Sequence, residues 1–261
     1  METLFNRLRN QELQEGETLV CFLGQAGVLI KSYPQRYVIV DPYLSDLCET
    51  RIGIKFKRLM PALLDADELD ALQLEAYLLT HHHEDHLDAF LIPALRDKAF
   101  PFYAPPESAA LLGELGVARD RILTLHDGAE HLLRSDIRIH GVFADHGEYA
   151  PDAVGIVIEI GGRTIFHMGD TCLDRAAFAA IRDKFRIDLL FVPINGRYGN
   201  MDAADGAEAV AILQPKQAVP CHFWMLPGNS GGDLELFLDQ TAELAPQTNV
   251  RLMAAGETLL L

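Results

Sequence analysis

The stretch from Thr80 to Asp88, THHHEDHLD, packs four histidines and three acids into nine positions. It directly follows EAYLLT, a short apolar run that predicts a β-strand. Side chains this polar are costly to bury and crowd one another on a surface, and a bound metal ion is the usual way to offset that cost. Loops at the carboxyl ends of strands are also where open α/β sheets tend to place ligands. We therefore expect the fold to bring further donor groups to this loop.

The spacing H-x-H-x-D-H within this stretch suits zinc, manganese or iron, because these ions accept neutral imidazoles and carboxylates. The motif consists of His81, His83, Asp85 and His86. The first two histidines can turn toward one ion while Asp85 and His86 turn toward a second. Two ions together need roughly six to eight donors, which is more than the motif supplies.

Three later residues each follow an apolar run, so they should emerge at the same edge of a sheet. They are His146 in FADHGE, Asp170 in HMGDT and His222 in VPCHFW. Taken alone, a histidine at a strand end is more often a satisfied polar residue than a metal ligand. Beside the histidine-rich loop, their shared position predicts that all three join one metal centre, in which Asp170 is able to bridge two ions.

Strand-like and helix-like segments alternate after a strand-rich start, which predicts an α/β protein. LVCFLGQAGVLIKS and RYVIVDPYL are interpreted as two strands joined by a turn at Tyr33-Pro34, and Gly161-Gly162 predicts a hairpin. Helices are predicted over DAFLIPALRDK, PESAALLGELG, DRAAFAAIRDKF, MDAADGAEAVAILQ and DLELFLDQTAELA, and Asp202 is the expected N-cap of the fourth. VRLMAAGETLLL predicts a closing strand or hairpin. Because no linker or internal repeat interrupts the pattern, we expect one domain over residues 1–261.

Composition narrows the class of protein. Hydrophobic residues make up 49% of the 261 residues, enough for a large core, and no apolar run reaches the length of a membrane-spanning helix. A formal net charge of -16 repels nucleic-acid phosphates, so we expect a small-molecule substrate and neither a nucleic-acid nor a membrane partner. The charged amino terminus has no signal-peptide core, which predicts a cytoplasmic protein with reduced cysteines.

These motifs resemble the metallo-β-lactamase superfamily over residues 18–261. The resemblance implies a four-layer αβ/βα sandwich and a site for two divalent ions. Carried across residue by residue, it implies that one set of donors holds the first ion, a second set holds the second ion, and one carboxylate bridges them. These are His81, His83 and His146 for the first, Asp85, His86 and His222 for the second, and Asp170 as the bridge.

Several stretches are similar to the L-ascorbate-6-phosphate lactonase group within that superfamily. They are LGQAGVLIKS, THHHEDHLD, FHMGDT, NGRYGNMDAADGAEAV and the strand leading to CHFW. The resemblance implies a hydrolase that opens a small lactone or ester, such as a sugar-acid phosphate lactone. Two ions about 3.5–4 Å apart would lower the pKa of a shared water, and Asp85 would orient the resulting hydroxide or accept its proton.

Residues around the expected centre have supporting or alternative roles. Asp41 in VIVDPY is either an acceptor for a ligand histidine or the cluster backbone, or a simple turn aspartate. His167 is expected to be a packed strand residue, and His82 to face substrate or solvent. A phosphate could be held by NGRYGN, where glycines let backbone N–H groups approach an anion. The residues of that loop predicted to contact substrate are Asn195, Arg197, Tyr198 and Asn200.

Two other functions use the same residues. A phosphodiesterase is one, because the same two-metal site also serves P–O cleavage. A sensor that binds metal or ligand without catalysis is the other, although a sensor does not need a complete donor set. The sequence does not decide among zinc, manganese and iron, nor between a monomer and an oligomer.

Overall fold

The computed structural model describes residues 2–223, 226 and 232–261. Its helices are α1 (Leu4–Asn10), α2 (Leu47–Arg51), α3 (Ala66–Ala71), α4 (Ile92–Leu95), α5 (Pro106–Glu114), α6 (Arg175–Lys184), α7 (Ala203–Leu213) and α8 (Leu234–Leu244). Its strands are β1 (Thr18–Gly24), β2 (Gly27–Ser32), β3 (Arg36–Val40), β4 (Leu74–Leu78), β5 (Phe102–Ala104), β6 (Ile122–Thr124), β7 (Glu130–Arg134), β8 (Ile137–Phe143), β9 (Val154–Ile160), β10 (Arg163–His167), β11 (Leu189–Pro193), β12 (Gln217–Cys221), β13 (Asn249–Val250) and β14 (Thr258–Leu260). In this part of the chain, no helix is both long and apolar enough to cross a membrane.

The described strands form two seven-stranded sheets. The first has the order β14-β1-β2-β3-β4-β5-β6, and the second has the order β13-β12-β11-β10-β9-β8-β7. Strands β10, β11 and β12 run parallel to one another. Because β8 and β10 both pair antiparallel with β9, β8 runs in the same direction as these three. The carboxyl ends of β8, β10, β11 and β12 therefore lie at one edge of the second sheet.

Alternation of side chains along the strands builds three apolar layers. On β1, Leu19 and Cys21 face the layer that packs under α1–α5, whereas Val20 and Phe22 face the layer between the two sheets. On β9, Val157 faces the third layer, which lies under α6–α8. Helices thus cover the outer face of each sheet. This is the four-layer αβ/βα sandwich that the sequence and its resemblance predicted.

Two predicted elements differ from the structure, and the structure decides between the two alternatives for a third. LVCFLGQAGVLIKS is two strands, because the chain turns after Gly24 and Gln25 takes a left-handed φ of 54°. The helix predicted over DAFLIPALRDK is only the four-residue α4: Asp88 caps the turn before it by accepting from the Phe90 N–H, and Pro93 has no N–H with which to join that turn to the helix. Of the two alternatives for the final segment, the structure has the closing strand β14, which joins the first sheet, and not a hairpin, since β13 joins the second sheet.

Hydrogen bonds join the two sheets at the edge where the strands end. The Val154 N–H of the second sheet donates to the Thr80 carbonyl of the first, at 3.0 Å. His167 is buried, and its Nε2 donates to the Ala26 carbonyl at 2.7 Å. We call this edge, with its bonds between Thr80 and Val154 and between Ala26 and His167, the inter-sheet seam.

Candidate metal centre

All seven predicted donors gather at the inter-sheet seam. The loop after β4 carries four of them, and β8, β10 and β12 each lead into one more. Their ring nitrogens and carboxylate oxygens form two groups, and within each group the atoms lie within 4.8 Å of one another. The first group is His81, His83, His146 and Asp170, and the second is Asp85, His86 and His222.

Asp41, just after β3, orients the start of the histidine-rich loop. Its Oδ1 accepts from the Thr80 backbone N–H at 2.9 Å, and its Oδ2 accepts from the Thr80 hydroxyl at 2.5 Å and lies 2.7 Å from His86 Nδ1. Since Thr80 gives its proton to Asp41, its oxygen is left to accept from His81 Nδ1, 3.0 Å away. His81 and His86 then each present the lone pair of Nε2 to the other donors. Asp41 thus has the supporting role that was one of its two alternatives.

The first group brings imidazole lone pairs together. His83 Nε2 lies 3.0 Å from the Tyr149 carbonyl and donates to it, so its Nδ1 carries no proton. That Nδ1 lies 3.0 Å from His81 Nε2 and 3.3 Å from His146 Nε2. No hydrogen bond can join two unprotonated nitrogens, whereas a cation between them satisfies both.

The second group is bonded to Gln25, which lies in the turn between β1 and β2. Asp85 Oδ2 lies 3.1 Å from His222 Nε2 and accepts a hydrogen bond from Gln25 Nε2 at 3.0 Å. His86 Nε2 lies 3.1 Å from His222 Nε2. His222 has a left-handed φ of 63°, and its N–H donates to the Gln25 carbonyl at 2.8 Å. Such backbone conformations are unfavourable for a residue other than glycine and persist where the surrounding structure enforces them.

Asp170 lies between the two groups. Its Oδ2 accepts from Asn200 Nδ2 at 2.7 Å and lies 3.7 Å from His146 Nε2. Its Oδ1 lies 3.3 Å from His86 Nε2 and 3.2 Å from His222 Nε2, yet no described residue makes a well-aligned hydrogen bond to this buried oxygen. A carboxylate with one oxygen beside each group has the position of a bridging ligand.

Electrostatics favours cations at both groups. Burial lowers the pKa of His81 well below its usual value, and it lowers the pKa of His146 to about 4. Burial alone would also lower the pKa of His86, but the carboxylates around it, first Asp170 and then Asp41, raise that pKa well above its usual value. The first group therefore presents neutral imidazoles, and the carboxylates near the second favour any positive charge there. The arrangement fits divalent metal ions.

A cavity of about 210 Å³ opens over these donors. Its floor includes His83, Glu84, Asp85, His146, Asp170 and His222. Its wall contains Cys48, Ile52, Phe56, Tyr149 and Tyr198, which we call the apolar wall. Asn195 is the remaining lining residue. The floor is polar and the wall is largely apolar, which is the usual make-up of a site for a small molecule.

The four residues predicted to contact substrate take different positions. Asn195 and Tyr198 line the cavity. Asn200 instead donates to Asp170 and so supports the donor groups. Arg197 is exposed and does not line the cavity.

Two of the other histidines pair with glutamates outside the donor groups. His82 Nδ1 lies 3.3 Å from a carboxylate oxygen of the exposed Glu107. His140 Nε2 lies 2.9 Å from Glu159 Oε2. Trp224, the last residue of the CHFW stretch, lies outside the described residues.

Sequence reasoning missed the residues that place the apolar wall. The buried Asp88 carboxylate accepts from the backbone N–H groups of Leu44 and Ser45 as well as from the N–H of Phe90. It thereby ties the loop before α2 to the loop after β4. Gln25 interrupts an apolar run between Gly24 and Gly27, and this could have indicated that its side chain has a polar partner. The wall residues have no comparable signal in the neighbouring sequence.

A family model described as a beta-lactamase superfamily domain matches residues 36–223. The chain belongs to the metallo-β-lactamase superfamily. A UPF0173 metal-dependent hydrolase of Bacillus velezensis is 31% identical over 234 residues, covering 85% of this chain and 90% of the relative. Another, from Cupriavidus necator, is 29% identical over 240 residues and covers 83% of this chain and 77% of the relative. This metallo-β-lactamase superfamily member is therefore a metal-dependent hydrolase of the UPF0173 family.

Solved structures have the same fold as this UPF0173 protein at lower identity. Igni18, a metallo hydrolase from Ignicoccus hospitalis, matches with a TM-score of 0.74 at 23% identity, covering 94% of this chain and 98% of the other. An isothiocyanate hydrolase from Delia radicum gut bacteria matches with a TM-score of 0.72 at 22% identity, covering 92% and 98%. These likenesses support the metallo-β-lactamase fold.

Proposed function

We propose that this UPF0173 protein uses two divalent metal ions, zinc, manganese or iron, to hydrolyse a small lactone or ester. The observation that carries the proposal is the pair of donor groups, with Asp170 between them, on the floor of a cavity. Ions held in this way supply an activated water nucleophile and polarise a carbonyl oxygen. His81, His83 and His146 would hold one ion, Asp85, His86 and His222 would hold the other, and Asp170 would be shared.

Asp85 is the residue of the chain that we assign to catalysis. It lines the cavity. Burial alone would raise its pKa, but His86 and His222 hold that pKa well below its usual value. As an ionised carboxylate it can accept a hydrogen bond from the attacking water and orient it, and it would take the proton only transiently, because so low a pKa makes it a weak base. Water oxygen bonds to the carbonyl carbon, the ring C–O bond breaks, and the proton passes to the leaving oxygen to give a hydroxy acid.

A lactone or ester suits this arrangement because it needs a nucleophile and an electrophilic contact but no acyl-enzyme. The similarity of several stretches to the ascorbate-phosphate lactonase group supports the same chemistry. A phosphate on the substrate has less support, since Arg197 does not line the cavity. The isothiocyanate hydrolase of the same fold acts on a small electrophile, so that class belongs in a substrate panel.

The test is a substrate screen on protein stripped with chelator and reloaded with zinc, manganese or iron. We expect about two ions per chain by elemental analysis and turnover of a lactone or aryl ester. The panel also contains an isothiocyanate, a chromogenic phosphodiester and a β-lactam. Loaded protein that turns over only the phosphodiester, or none of the panel, would overturn the proposal.

A further inference from the structure

The apolar wall is formed by segments that connect strands of both sheets. Phe56 lies in a 3₁₀ turn after α2, and Tyr198 lies in the loop between β11 and α7. Their rings stand 6.1 Å apart between centroids, at an angle of 35°. Ile52 and Tyr198 are 46% and 44% exposed although both line the cavity. Apolar side chains exposed next to a reaction site are typical of surfaces that contact an apolar part of a ligand.

The cavity has little to attract an anion at this wall. Within the described part of the chain, no lysine or arginine lines it. Glu84 lines the cavity beside Asp85, in a protein of net charge -16. A charged substituent on the substrate would lose part of its hydration at this wall without gaining a cationic partner, which is unfavourable.

Asn195 adds a neutral polar group to the cavity. Its side chain is 2% exposed, and its Oδ1 has no hydrogen-bond partner among the described residues. A buried amide oxygen without a partner is costly. A ligand that donates a hydrogen bond there would satisfy it.

We propose that the cavity selects substrates with an uncharged, apolar substituent, held between Phe56 and Tyr198 and against Ile52, with Asn195 bonded to a neutral polar group. The inference rests on the proposed function for the position of the reacting carbonyl. Its binding step can nevertheless be measured without turnover. Each methylene that becomes buried against the wall should improve binding about fourfold.

The first test varies the substituent on one ring. The metal-loaded protein is assayed with γ-butyrolactone, with γ-lactones that carry propyl and pentyl chains, and with a ring whose chain of matched length ends in a carboxylate. We expect kcat/KM to rise with alkyl length. We expect it to be at least about tenfold lower for the charged chain than for the alkyl chain of the same length. A flat response to chain length, or equal use of the charged lactone, would overturn the inference.

The second test uses two isoleucines of the same segment. Ile52 lines the cavity, whereas Ile54 is 64% exposed and does not. Ile52→Ala and Phe56→Ala should reduce the preference for pentyl over unsubstituted lactone at least about fourfold, and Ile54→Ala should leave it unchanged. Equal effects of the two isoleucine variants would mean that the wall does not contact substrate.

Binding of a ketone separates this inference from the proposed function. 2-Pentylcyclopentanone has the ring and chain of a substrate but cannot be hydrolysed, and its binding can be followed by ligand-observed NMR. If no lactone or ester is turned over but the ketone binds wild type more tightly than the Ile52→Ala variant, the hydrolase proposal fails and the apolar site stands. If the lactones are turned over and the ketone does not bind, the apolar site is wrong.

Discussion

The donor groups and the apolar wall are built differently. Several donors are held by hydrogen bonds from buried neighbours, as His86 is by Asp41 and Asp85 is by Gln25. The wall residues Tyr149 and Tyr198 are 57% and 44% exposed and lie in loops and short turns. Reaction chemistry needs donor atoms held to a fraction of an ångström, whereas recognition of an apolar group tolerates variation. The contrast indicates that the donors set the reaction and the wall sets the choice of substrate.

The largest expected effect tests the bridge. Asp170→Ala removes the carboxylate that lies beside both donor groups, so metal content should fall from about two ions per chain to one or fewer, and activity at least about a hundredfold. Elemental analysis and the lactone assay measure this. Asp239→Ala, an exposed carboxylate on α8, is the control and should change neither. Full metal content in the Asp170 variant would show that the carboxylate is no ligand.

A smaller loss of metal binding is expected when Asp41, which bonds to Thr80 and His86, is substituted. In the wild-type protein the two Asp41 oxygens accept from Thr80, and one of them also lies against His86 Nδ1. Asp41→Asn keeps the shape of this side chain but replaces one of the two oxygens with an amide NH₂ group. Metal affinity should fall roughly 10- to 100-fold. Competition with a chromogenic chelator gives the value. Unchanged affinity would show that the histidines keep their orientation without Asp41.

Asn200 contacts the bridge by a single hydrogen bond. Removing this bond to a charged group, in Asn200→Ala, should weaken metal binding about tenfold, with little change in the melting temperature. Arg197→Ala in the same loop is the matched control. If both variants weakened metal binding alike, the effect would come from the loop as a whole.

The smallest effect is expected at the wall. Tyr198→Phe keeps the ring that faces Phe56 and removes only the hydroxyl. We expect kcat/KM for unsubstituted lactone to change less than about twofold, since apolar contact is retained. A loss of a hundredfold would place the hydroxyl in the reaction and erase the distinction between donors and wall. Steady-state kinetics at fixed metal loading decides between these outcomes.

The sequence predicted the donors better than their supports. The motif His81 to His86 and the three later donors could be found because each follows an apolar strand, and strand ends of one direction share an edge. Asp41 was open between two roles because the sequence does not show which groups its oxygens meet. Asp88 gave no local indication, since its partners Leu44 and Ser45 are brought to it only by folding.

The architecture was predictable and several of its turns were not. Alternating apolar runs indicated strands and helices, but the turn at Gln25 depends on a left-handed φ that the sequence does not specify. The short α4 reflects Pro93, whose missing N–H interrupts the helix that the apolar spacing predicted.

The inter-sheet seam ties the site to the packing far behind it. Phe22 on β1 and Phe191 on β11 stack between the sheets with centroids 6.3 Å apart, and their strands lead to Gln25 and Asn195. Gln25 bonds to Asp85 and Asn195 lines the cavity, so a change in the spacing of the sheets at this aromatic pair is expected to move both. A substitution there that leaves the protein folded should still alter which ion or substrate it prefers, so variation in the core offers a route to new activities without touching a single ligand.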